Sequence, residues 1–118
     1  MTREELATRL GEAELLVLDV RTPEEYSGLG GHSCDPRQGH IPGARNFDVQ
    51  VLASLSRPEE IRAYIGLPEG AEIVAYCHSG SRSAIAVTIL RRAGYAARNY
   101  VGSWHEWSRD AELPFEAA

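Results

Sequence analysis

Apolar residues along this 118-residue chain follow two rhythms, short unbroken runs and helical spacing. LLVLDV, from Leu15 to Val20, and EIVAY, from Glu72 to Tyr76, are continuous enough to predict strands covered on both faces. ARNF, from Ala44 to Phe47, predicts a short strand, and ARNYV, from Ala97 to Val101, the last one. Helical stretches separate them. TREE spaces Thr2 and Glu5 as a capping box and predicts a short helix ending at Gly11. TPEEY sets Pro23 at a first helical position, and QVLASL reads as another short helix. In SRPEEIRAYIG the expected cap is Ser56, with Pro58 in the first turn, Glu59 completing a second box and Gly66 as the stop. SRSAIAVTILRRAG predicts a helix with Ile85, Ile89 and Leu90 on its apolar side and Arg91 and Arg92 in its last turn. SWHEWSRDA is the final short helix.

Strands alternating with helices predict an α/β fold with a mostly parallel sheet. Ligands of such sheets bind beyond the carboxyl ends of the strands, and Cys77 directly follows the strand Glu72 to Tyr76 at that edge. One segment breaks the alternation. SGLGGHSCDPRQGHIPG, from Ser27 to Gly43, is rich in glycine and proline and predicts an irregular loop of a length often tied to function. With no repeat, low-complexity tract or linker, residues 1–118 are expected to form a single domain.

Composition narrows the function. A chain that is 43% hydrophobic and 25% charged can build a core without disulfide or metal staples. Its net charge of −5 argues against nucleic acid and anionic membranes as partners. No run approaches the roughly 18 apolar residues of a membrane span, and the charged N-terminus lacks a signal-peptide segment. The expected location is therefore cytoplasmic, where thiols stay reduced. All twelve basic residues are arginine, which excludes Schiff-base or amine general-base chemistry by lysine. Two cysteines, Cys34 and Cys77, are too few for a disulfide framework or a zinc knuckle.

Cys77 is thus a packed side chain, a metal ligand or a nucleophile, and its neighbours decide. In YCHSGSRS the run His78, Ser79, Gly80, Ser81 and Arg82 combines tight curvature with small side chains that leave the amides open. Successive N–H groups can form a nest with the positive end of the following helix behind them, and Arg82 adds a permanent charge. Lowering a thiol by about two pKa units, about 2.7 kcal/mol, makes the thiolate dominant at neutral pH. The same cradle suits the terminal sulfur of a persulfide.

LLVLDVRTPEEY, GHIPGARNF, YCHSGSRS and YVGSWHEWS occur in the order and approximate spacing of a rhodanese domain, and the chain resembles that family from about residue 15 to 108. The resemblance implies a five-stranded, mostly parallel sheet flanked by helices on both faces. It also implies that Cys77 takes sulfane sulfur from a small-molecule donor and passes it to cyanide or a thiol, with no metal or organic cofactor. Cell-cycle phosphatases share that fold but place five residues between cysteine and arginine. Here four intervene, a smaller ring better suited to sulfur than to a phosphate tetrahedron. The Cys-x-Ser-Gly pattern is similar to mercaptopyruvate sulfurtransferases, whereas arginine at Arg82 is typical of single-domain rhodaneses. Thiosulfate is therefore the first expected donor, and the alternatives are mercaptopyruvate, a phosphatase or arsenate-reductase reaction, and a persulfide relay to a protein acceptor.

Several residues carry open roles. By resemblance, Asp19 and Arg21 form an internal ion pair supporting the site, and Arg45 either faces substrate or is structural. His78 is a proton source or an exposed loop residue. His32, Cys34 and His40 are irregularly spaced for a metal site. Cys34 is a second sulfur acceptor, a disulfide partner of Cys77, or a bystander. Trp104 and Trp107, spaced i, i+3, share a helical face that packs in the core or lines the pocket, and His105 is expected in solvent.

Overall fold

The chain enters through helix α1 (Arg3–Arg9), where the Thr2 hydroxyl accepts the Glu5 N–H and the Glu5 carboxylate accepts the Thr2 N–H, the expected capping box. There follow β1 (Leu15–Asp19), α2 (Pro23–Ser27), β2 (Arg45–Asn46), α3 (Val49–Ser54), α4 (Pro58–Ile65), β3 (Glu72–Tyr76), α5 (Ser81–Arg92), β4 (Ala96–Asn99) and α6 (Ser103–Trp107). These elements come from a computed structural model that describes residues 1–117; Ala118, the end of the expected domain, lies outside the described residues. Among those residues no helix is long and apolar enough to cross a membrane.

The strands form one parallel sheet in the order β2-β1-β3-β4. It has four strands where the family resemblance implied five. The Gly- and Pro-rich stretch before β2 forms no strand; its one sheet-like contact is an isolated antiparallel bridge between His40 and Glu116. β1 and β3 lie in the middle and are covered on both faces, as their apolar runs predict. Alternate residues of β3 and its extension feed two cores. Ile73, Ala75 and Cys77 pack with Leu52, Ile61, Val87 and Leu90 from α3, α4 and α5, while Val74 and Tyr76 pack with Leu6, Trp104 and Trp107 from α1 and α6.

Three local expectations shift. α4 is capped by Arg57 with no side-chain hydrogen bond; Ser56 instead pairs its hydroxyl with the Glu60 carboxylate at 3.2 Å, and Glu59 ion-pairs with Arg57, so no box forms. The last strand ends at Asn99, because Tyr100 to Ser103 already turn into α6. In α5 the buried face is Ser83, Ala86, Val87 and Leu90, and Ile85 is 52% exposed. The small residues at the start of α5 must tuck beneath the loop that precedes it, which rotates Ile85 outward.

Candidate active site

Cys77 leaves the carboxyl end of β3, and its loop closes within four residues because Gly80 adopts φ 100°, a conformation glycine accepts without strain. A side chain there would also set a Cβ 2.8 Å from the Val101 carbonyl oxygen. α5 then starts at Ser81 with no side-chain cap, so its first-turn N–H groups stay available beside the cysteine. The Gly80 N–H donates to Cys77 Sγ at 3.1 Å, and the Ser83 hydroxyl lies 3.3 Å from the same sulfur. Burial alone would push this thiol up. Hydrogen bonds from the Ser83 hydroxyl and from the N–H groups of Ser83, Gly80 and Ser79 outweigh it, and the net direction is downward. The sulfur therefore sits in a collar of amides, to which Ser83, the last residue of the YCHSGSRS run, adds a hydroxyl contact that the sequence did not foretell.

Cys77 is only 1% exposed. Residues of its loop border a cavity of about 570 Å³ whose walls include Glu25, His32, His78, Ser79, Ser81 and Arg82. Cys77 itself is not among those walls, although its loop neighbours His78, Ser79, Ser81 and Arg82 are. A second sulfur on Sγ would extend about 2 Å further.

Backbone support comes from the turn into α6. The Cys77 N–H donates to Ser103 Oγ at 3.0 Å, and that hydroxyl donates to the Tyr100 carbonyl at 2.9 Å. Ser103 has φ 56°, the one positive φ among non-glycine residues described. Such strain costs of order 1–3 kcal/mol and persists where surrounding structure dictates it; here the N–H groups of Trp104 and His105 donate to the carbonyls of Cys77 and His78 at 2.9 Å each.

Arg82 is not the free cation that the loop pattern predicts. Its guanidinium grips Glu25 of α2 through two bonds of 2.7 and 3.0 Å. Burial would raise Glu25, but the Arg82 bonds and the Thr22 N–H bring its carboxyl down to about 2. The loop's positive potential accordingly comes mainly from amides and the helix terminus. His78 is not a free surface residue either. It is largely buried, with Nε2 2.9 Å from Asp35 Oδ2 and its ring stacked on His32 at 3.6 Å between centroids. Despite the 2.9 Å between them, neither Nε2 nor Oδ2 makes a well-aligned hydrogen bond. His105 is half exposed, as expected, and meets His78 edge-on.

Asp19 and Arg21 form the expected internal pair, 2.7 Å apart and fully enclosed. Asp19 also accepts from the Tyr76 hydroxyl at 2.7 Å, and Arg21 donates to the Gly39 carbonyl at 2.6 Å and lies over the Trp104 ring. The pair ties the ends of β1 and β3 to the long loop and to α6. Arg45 is not brought into this group. It pairs with Leu18, is exposed, and borders a separate cleft with residues from the starts of β1 and β3. Trp104 and Trp107 are wholly buried and do not border the cavity, donating their ring N–H groups to the Arg37 and Pro114 carbonyls.

The long loop supplies what local sequence could not show. Asp35, its carboxylate 1% exposed, receives Arg109 at 2.7 Å besides facing His78, and Arg109 also donates to the Cys34 carbonyl. Ligand atoms of Cys34, Asp35 and His78 fall within 4.8 Å of one another. The carboxylate already faces the Arg109 guanidinium through Oδ1 and the His78 imidazole through Oδ2. Cys34 is exposed and carries a free thiol beside His78. His40 lies elsewhere, stacked on Tyr26.

Known proteins of this form exist. A thiosulfate sulfurtransferase of Pseudomonas aeruginosa is 35% identical over 123 aligned residues, which cover 98% of this chain and 45% of that protein. A crystal structure described as a "probable thiosulfate sulfurtransferase" superposes with TM-score 0.84 at 44% identity, covering 98% of this chain and 46% of its own. A human single-domain sulfurtransferase superposes with TM-score 0.70 at 30% identity, covering 95% of this chain and 96% of its own. The chain spans about half the length of the curated relatives it matches first. The rhodanese-like domain matches residues 2–110, and with a cysteine loop at the carboxyl edge of a parallel sheet, the chain belongs to the rhodanese-like domain family.

Proposed function

We propose that residues 1–118 act as one sulfurtransferase domain with Cys77 as nucleophile. The observation that carries this reading is the sulfur's surroundings: an N–H at 3.1 Å, a hydroxyl at 3.3 Å and an uncapped helix start, which together lower the thiol despite its burial. The thiolate attacks the outer sulfur of thiosulfate or a similar donor. The S–S bond of the donor breaks, its electron pair leaves with sulfite, and Cys77 holds a persulfide. A thiophilic acceptor, cyanide or a thiol, then takes the outer sulfur and returns the thiolate.

The loop residues divide this work. N–H groups of Ser79, Gly80 and Ser83 hold the sulfur anion, while Ser81, Arg82 and His78 line the chamber that receives donor and acceptor. Asp19 and Arg21 brace the ends of β1 and β3, from which the cysteine loop leaves. Neither half-reaction draws on a metal or an organic cofactor, and both need Cys77 reduced, which a cytoplasmic setting supplies. The relatives named thiosulfate sulfurtransferase support the choice of donor.

Intact-mass spectrometry after thiosulfate treatment tests the reading. A gain of one sulfur atom, about 32 Da, lost on adding cyanide and absent from Cys77→Ala, is expected. No adduct with any of several sulfane donors overturns it.

A further inference from the structure

The donor half-reaction uses the collar and leaves one part of the chamber without a task. His78 and His105 face a single enclosed carboxylate, Asp35, and His32 stacks on His78 at the wall of the chamber. Arg109 fixes Asp35 from the far side through Oδ1, which leaves Oδ2 for His78 Nε2. With a carboxylate oxygen 2.9 Å away, the imidazole favours the tautomer that carries its proton on Nε2, which presents Nδ1 as an acceptor. No hydrogen bond of His78 Nδ1 is found among the described residues, and His78 borders the chamber.

We propose that the second half-reaction takes a small thiol, that His78 removes its proton, and that Asp35 holds His78 for that step; this rests on the persulfide reading of Cys77. The chamber, about 570 Å³, has the size of a small-molecule site. The thiol S–H bond breaks and the proton passes to His78 Nδ1. A new S–S bond forms between the thiol sulfur and the outer sulfur of the persulfide. The bond from that sulfur to Cys77 Sγ breaks, its electron pair remaining on Sγ, where the Gly80 N–H receives it. The imidazolium returns the proton to the outer sulfur, and the product leaves as a hydropersulfide. No outside oxidant or reductant enters.

The environment matches the task. Burial lowers His78, and the nearby His32 and His105 push the same way, while Asp35 opposes them; the net direction is downward, which favours the neutral ring, able to accept a proton, at neutral pH. Glu25 and Arg82 face it across the chamber as a closed ion pair.

Discharge of preformed Cys77 persulfide separates the possibilities, using 2-mercaptoethanol as an alkyl thiol and 5-thio-2-nitrobenzoate as an aromatic thiol already ionised at neutral pH. General base catalysis contributes of order 10²–10⁴-fold, so His78→Gln should lower the ratio of alkyl to aromatic discharge rates at least about tenfold. Asp35→Asn should lower the same ratio and move the acid limb to lower pH, because it removes the group that raises His78. The unsubstituted protein gives a second readout independent of folding. Alkyl-thiol discharge should rise with the titration of His78 and level off near neutrality. A rise that continues to the thiol's own pKa, or an unchanged ratio in His78→Gln, overturns the proposal while leaving persulfide formation intact. Failure of the unsubstituted protein to form any persulfide instead removes the reading on which it rests.

Discussion

The reactivity assigned to Cys77 comes down to a few polar atoms, and Ser83 is the one that can be removed with least disturbance. It sits in the first turn of α5, is fully buried, and touches the sulfur by its hydroxyl. Ser83→Ala should raise the thiol towards the ordinary cysteine value. The pH profile of iodoacetamide alkylation would then move upward, and the rate at pH 7 would fall several-fold. An unmoved inflection would assign the low value to the amides alone. Glu25 offers a test in stability. Its carboxyl lies near 2 in the fold, below an unfolded value of about 4.5, so the ion pair stabilises the protein above pH 4.5 and loses that contribution as pH falls toward 2. Glu25→Gln should flatten the acid-unfolding curve across this window by about 1–3 kcal/mol, reduced from the full shift because Arg82 is partly in solvent. An unaltered curve would mean that the pair adds nothing. At this scale the sequence was readable where chemistry is contiguous, from Cys77 to Arg82. Glu25 and Asp35 were not readable, since each meets its partner across more than forty residues of chain.

Elements were more legible than their edges. The unbroken apolar runs marked β1 and β3 because a strand buried on both faces has no polar alternation to hide it. The capping box at Thr2 is a local hydrogen-bond pattern and could be read directly. On the apolar face of α5 Leu90 and Ile89 lie where expected and Ile85 does not, since Ser83 and Ala86 are buried by what packs on them and not by their own hydrophobicity. The fifth strand came from family resemblance alone, and the residues before β2 could not supply it. Gly80 joins β3 to α5, and here the element scale is tested. Gly80→Ala must place a β-carbon against the Val101 carbonyl at a φ of 100°, so either the loop or the turn before α6 has to move. Displacing the N–H now 3.1 Å from Sγ should reduce sulfur transfer by about 10²-fold and also lower stability by about 1–3 kcal/mol. Full activity in a folded Gly80→Ala protein would show that the collar does not require this turn.

The molecule as a whole is fastened at one residue that the sequence offered only as part of a polar loop. Arg37 donates to the carbonyls of Trp107, Ser108, Asp110 and Leu113 at 2.6–3.0 Å and lies over the Phe115 ring, so one guanidinium holds the segment after α6 against the long loop. Glu116 completes the strap by exchanging backbone hydrogen bonds with His40. The sheet does not depend on this contact: β1 and β3 are closed by their own two cores. The chamber does depend on it, because Asp35 and His32 ride on the strapped loop and Arg109 on the strapped tail. Arg37→Ala would leave four carbonyls short of a charged donor, a loss of about 2–4 kcal/mol against the folded state. Hydrogen exchange should accelerate across residues 30–42 and 105–116 while amides of β1 and β3 stay protected. The Cys77 inflection should hold, since no collar atom belongs to the strap, and sulfur transfer to an alkyl thiol should fall more than transfer to an aromatic one. Uniform acceleration that includes the sheet would instead make the long loop and tail part of a single cooperative core, with the chamber inseparable from it.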